Sequence, residues 1–168
     1  MDPLFVWIET SALSTVLREN PSIMAFPFIL ILHTVGLGFL VGANVAVNGR
    51  VLGLARGVPV LSMRRYYRVM WAGFWVNAFS GVLLLIAYPT KALTNPVFYL
   101  KLAMIAAALW MARAIRRHAE AAPVAAGMPA SQTLRALALA GMACWLVAIF
   151  AGRFLAYTCT RLTWEHSC

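Results

Sequence analysis

Four stretches of this chain, residues 22–47, 69–88, 96–115 and 134–157, are apolar over about the twenty residues needed to cross a bilayer as a helix. A backbone in lipid must satisfy its own hydrogen bonds, so apolar runs of this length are read as helices. With 62% hydrophobic and 11% charged residues among 168, the composition excludes a soluble domain of this size. The expected fold is all-α: an integral-membrane, four-helix up-down bundle, one transmembrane domain over 1–168. Ahead of it, LFVWIETSALSTVLREN sets Leu4, Ile8, Ala12 and Val16 at helical spacing. That pattern predicts an amphipathic helix over about 3–18, lying in the membrane interface. It does not read as a cleaved signal peptide, because Asp2 and Glu9 are present and a basic leading region is not.

The net charge of +9 raises the question of nucleic acid, and its distribution answers it. Arg50, Arg56, Arg64, Arg65 and Arg68 fall between the first two spans, and Arg113, Arg116, Arg117 and Arg135 between the last two. Four of the five acidic residues, Asp2, Glu9, Glu19 and Glu165, fall on the other side. The positive-inside rule then expects a bacterial inner-membrane protein with both termini periplasmic, the arginines setting topology rather than holding nucleic acid. Tyr66, Tyr67, Trp71 and Trp110 mark the inner interface, and Tyr88, Tyr99, Tyr157 and Trp164 the outer one.

The connection YPTKALTNPV is short and proline-bounded, so the second and third spans are expected to be antiparallel neighbours. The connector EAAPVAAGMPASQ ends in Ser131, a candidate helix N-cap. In the tail CTRLTWEHSC, Cys159 and Cys168 either form a disulfide in an oxidising compartment or join His166 as soft metal ligands. No Cys-x-x-Cys-His occurs, which excludes covalently attached c-type haem.

Few polar groups lie at membrane depth, where desolvation is costly and function is the default reading. They are His33, Asn44, Asn77, Lys101 and, at the outer edge, Arg153. His33 is expected roughly 12–16 Å below the outer surface and Lys101 roughly 7 Å below it, at 1.5 Å per residue. His33 sits in LHTVGLGFLVGANV, flanked by Gly36, while Gly38 and Gly42 form a small-xxx-small pair. The pattern fits a non-covalent haem b. His33 would ligate iron, Gly36 would admit the ring, and Lys101 and Arg153 would neutralise propionates; Met104, Met142 and Cys144 are candidate further ligands. It also fits a packing histidine that bonds Asn77 or Ser80 of NAFSG, and, as a third possibility, copper handling by His33, Met104 and Cys144 with the Cys159 to Cys168 tail.

The run of WIETSALSTVLREN, LHTVGLGFLVGANVAVNGRVLGLARG, NPVFYLKL and AGRFLAYT resembles a family of small bacterial four-helix inner-membrane proteins, which implies the same fold and outside termini. More remotely, His-x-x-Gly in the first span with Phe98, Lys101 and Leu102 opening the third looks like the copper-resistance D type membrane domain and the HemJ-type protoporphyrinogen oxidases. That resemblance implies a haem b ligand at His33 and a site residue at Lys101, and not the porphyrinogen reaction. The expected function is a haem b membrane subunit relaying electrons between a periplasmic protein partner, or a second copy, and the quinone pool. It is expected to be an electron-transfer subunit rather than a stand-alone enzyme. The alternatives are a cofactor-free anchor or assembly subunit and a copper-handling membrane protein.

Overall fold

Long runs of Leu, Val, Ala and Phe without interior proline propagate as helix, and the breaks fall where proline, glycine and capping side chains interrupt them. The computed structural model describes residues 7–8, 10–19, 26–122 and 127–157, and among these there is no strand. The helices are α1 Ala12–Glu19, α2 Phe26–Leu52, α3 Arg64–Ala87, α4 Pro89–Leu93, α5 Pro96–Ala121 and α6 Gln132–Tyr157, with a 3₁₀ turn at Val60–Met63. Ser131 caps α6 by accepting from Leu134 N–H at 3.3 Å, and Asn95 caps α5 by accepting from Val97 N–H at 2.9 Å. α2, α3, α5 and α6 are each long and apolar enough to cross a membrane. The protein is a multi-pass membrane protein, and Ile31, Phe39, Trp75, Phe79, Phe150 and Phe154 face outward from it toward lipid.

The Gly127 N–H donates to the Arg56 carbonyl at 2.7 Å, which ties the α2–α3 and α5–α6 connections together at one end, here the basic end. At the far end, the Ser14 hydroxyl of α1 donates to the Ala87 carbonyl at 3.5 Å, and the Phe26 and Tyr88 rings meet edge to face. The four spans therefore run up and down as a bundle. α1 packs on α3 through Ser14, whereas Ala12 and Val16 of the expected apolar stripe stay exposed. Leu4 and residue 9 lie outside the described residues.

Backbones approach most closely within α2–α3 and α5–α6, and α2 joins the two pairs through α6. Despite their short connection, α3 and α5 are not a closely packed pair; they meet through large side chains. The Arg113 guanidinium of α5 lies 4.6 Å from the centre of the Trp71 ring of α3, and that of Arg116 lies 5.7 Å from the Tyr67 ring. The cause is side-chain size: glycine lets α2 and α3 touch, whereas these residues hold α3 and α5 apart. A Cβ on Gly36 would stand 2.7 Å from the Asn77 backbone nitrogen, and one on Gly73 would stand 2.7 Å from that of Leu40. A Cβ on Gly38 or Gly42 would meet nothing within 4 Å, so the close crossing belongs to Gly36 and Gly73 instead.

The core is concentrated toward the basic end, around Leu40, Val47, Met70, Leu109, Ile115 and Trp145. α5 shows the asymmetry most plainly. It buries Ala108, Leu109, Ala112, Ile115 and Ala119, and nothing between positions 96 and 107. Within the core, Asn48 donates to the Asn44 side-chain oxygen at 2.8 Å, and Asn44 donates to the Met70 sulfur at 3.6 Å. Both asparagines are 2% exposed, so removing one strands the other in a low-dielectric interior. Asn44→Leu is expected to destabilise the bundle by about 1 kcal/mol or more, and Asn44→Leu/Asn48→Leu to cost less than the single change. Unfolding by dodecyl sulfate in mixed micelles reads both, and a double variant worse than the single one would sink the idea.

Candidate functional site

His33 lies seven residues into α2, at a level where α3 presents Asn77, Ser80 and Gly81. Three contacts fix it. Its Nδ1 is 3.1 Å from the Ser80 hydroxyl, its backbone carbonyl accepts from the Asn77 amide at 2.8 Å, and its Cε1 lies 3.2 Å from where a Gly81 Cβ would be. The ring therefore fits because position 81 has no side chain.

The hydroxyl network assigns the tautomer. Ser80 Oγ is 2.7 Å from the Val76 carbonyl and 3.1 Å from that of Asn77, and carbonyls only accept. The single hydroxyl proton goes to Val76, so Nδ1–H of His33 donates to Oγ. Nε2 then carries the lone pair and has no hydrogen-bond partner among the described residues. An imidazole anchored through Nδ1 with Nε2 free is the arrangement in which histidine serves as a metal ligand or proton acceptor.

Lys101 of α5 comes to the same half of the bundle. Its Nζ stands 3.7 Å from where a Cβ on Gly152 of α6 would be. Among the described residues no carboxylate forms an ion pair with it; the ion pair there is Arg116–Glu120, near the other end of α5. Arg153, next to Gly152, is exposed. His33, Lys101 and the α6 segment with Gly152 thus share the half of the molecule where α5 buries nothing.

Other expected residues lie elsewhere. Gly36 makes no slot beside the imidazole, because the Asn77 backbone and the Val76 side chain of α3 fill the space. Asn44 belongs to the buried pair with Asn48, eleven residues along α2 from His33, about 16 Å at 1.5 Å per residue. Met104 and Cys144 are partly buried against the core, and Met142 is partly buried. Among the described residues no three His, Cys, Asp or Glu side chains converge on a point. Cys159, His166 and Cys168 lie outside the described residues.

Asn77 and Ser80, the packing partners that the sequence offers for His33, both touch it. Gly73, Gly81 and Gly152 stand in no motif that singles them out. The signal for the first is its spacing: Gly73, Asn77 and Ser80 share one face of α3, the same face that meets Gly36. Arg50, expected as one charge of an arginine-rich connection, is 1% exposed, its Nε donating to the Val58 carbonyl and closing the loop at 53–58. No family model matches the chain, and comparison with curated proteins and with solved structures found no match.

Proposed function

We propose that this protein is a haem b binding subunit of a bacterial inner membrane, with both termini periplasmic, that passes electrons between a periplasmic protein partner and membrane quinone. The observation that carries the reading is His33. Its Nδ1–H is tied to Ser80, which leaves Nε2 uncommitted in the half of the bundle where α5 buries no residue. The donor set suits an iron porphyrin. His33 would offer a nitrogen to the iron, Met104, Met142 and Cys144 are the sulfur side chains of the neighbouring helices, and Lys101 and Arg153 would be the cations for its carboxylates. Haem b, when bound, supplies one-electron redox chemistry. The chain's own share is to hold the imidazole in one tautomer, to keep water from it with apolar helices, and to place positive charge at the far end.

A second reading is favoured by the same contacts. The Ser80 and Asn77 bonds to His33, next to the Gly36–Gly73 crossing, also make a lock between α2 and α3. In that case the protein is a cofactor-free anchor for a larger complex.

The spectrum of protein purified in detergent separates them. The redox reading expects a Soret band and, on dithionite reduction, an α-band, both lost in His33→Ala while the protein remains folded. Ser80→Ala is expected to keep haem with a shifted reduction potential, since the hydrogen bond on Nδ1 tunes the ligand nitrogen. A preparation that stays colourless when expressed with a haem precursor overturns the redox reading. If, in addition, Asn77→Leu lowers stability as much as His33→Ala, the anchor reading stands.

A further inference from the structure

We propose that the basic end carries a binding surface for anionic phospholipid headgroups, built from the start of α3 and the end of α5. The charge there is unusually uniform. All nine fixed cations of the two connections and their flanks are arginines, and against them stands one carboxylate, Glu120. Arg116 already holds Glu120 at 2.8 Å. Arg64, Arg65, Arg68 and Arg117 are exposed, and among the described residues no further carboxylate lies at this end for them.

The helix they stand on sharpens the need for an anion. Arg64 and Arg65 begin α3, Arg68 follows one turn later, no acidic residue occupies the first turn, and Met63 gives no side-chain cap. Cations at a helix start repel the partial positive charge of the helix dipole there, and an anion relieves both. The Arg113–Trp71 and Arg116–Tyr67 contacts bring the end of α5 beside this turn, so Arg117 joins the same surface.

Depth selects the kind of anion. Trp110, 64% exposed, and Tyr66, 42% exposed, are lipid-interface side chains on α5 and α3. Arg113 and Arg117 lie one and two turns beyond Trp110, and Arg65 and Arg68 flank Tyr66, which sets the guanidinium groups at the level of headgroup phosphates. The planar guanidinium fork matches a phosphate bidentately, unlike the point charge of lysine. A nucleic acid or soluble acidic protein would have to reach into that plane.

The test is native mass spectrometry of the intact protein in detergent with equimolar phosphatidylglycerol and phosphatidylcholine. Bound phosphatidylglycerol is expected to exceed phosphatidylcholine by about fivefold or more, and the fourfold variant Arg64→Gln/Arg65→Gln/Arg68→Gln/Arg117→Gln to bring the ratio near one. If that variant does not insert, Arg64→Gln/Arg68→Gln and Arg117→Gln tested apart are each expected to lower the ratio, and Lys91→Gln at the far end to leave it unchanged. A wild-type ratio near one, an unchanged ratio in the arginine variants, or loss of the preference on adding inorganic phosphate at the lipid concentration would overturn the proposal.

Discussion

Gly73→Ala is expected to destabilise the bundle by about 3 kcal/mol, the upper range for a methyl group forced into a packed interface. The new Cβ would stand 2.7 Å from the Leu40 nitrogen, 2.9 Å from the Gly36 oxygen and 3.0 Å from the Phe39 Cβ. Two of these are backbone atoms of α2, which cannot rotate away as a side-chain tip can. The helices must then separate, and separation strains the Asn77–His33 and His33–Ser80 bonds one and two turns along α3. The wider gap would also loosen the dispersion contacts around Leu40 and Met70. Gly38→Ala and Gly42→Ala provide the control, because a methyl on either meets nothing within 4 Å and relieves the helix of a glycine. Both are expected to be neutral or slightly stabilising. Equal losses at positions 38 and 73 in dodecyl sulfate titrations would show that α2 and α3 do not cross at Gly36 and Gly73.

Trp145→Ala is expected to cost about 3–5 kcal/mol, the range for emptying a large aromatic site in a packed core. Trp145 is 1% exposed and the largest of the fully buried side chains. Its indole Nε1 nonetheless has no hydrogen-bond partner among the described residues. The side chain is therefore held by volume alone, and its polar atom is a cost. It follows that Trp145→Phe, which keeps an aromatic ring and removes the unpartnered N–H, is expected to lose much less than Trp145→Ala. Thermal unfolding followed by circular dichroism distinguishes them, and a phenylalanine variant as unstable as the alanine one would point to an acceptor bound at Nε1.

The bundle is legible in the sequence because its causes are local and repeated: apolar runs of membrane length, arginine-rich connections, prolines and capping residues at the breaks. Ser131 and the helices themselves can be read this way. The pairing of helices is less legible. A short connection argues for α3 beside α5, but contact distance is set by side-chain size at the crossing, and Trp71, Tyr67, Arg113 and Arg116 outweigh connection length. Gly38 and Gly42 match the familiar small-residue spacing, whereas the working glycine of α2 is Gly36, whose partner lies 37 residues away on α3. Only three-dimensional placement joins such a pair. At the site, His33 stands out in the sequence as an ionisable group within an apolar span, and Ser80 and Asn77 are among the few partners the sequence offers it. Its tautomer is not readable, because that depends on where one serine proton goes.

The two closely packed pairs, α2–α3 and α5–α6, each consist of consecutive spans whose connection lies at the basic end. Biogenesis can therefore proceed in two near-independent stages. The first hairpin has every residue of its glycine crossing, and His33 with both partners, by the time position 81 is made. Docking of the second hairpin through α6 onto α2 is then the late, long-range step, and it alone brings Lys101 into the half of the molecule that holds the imidazole.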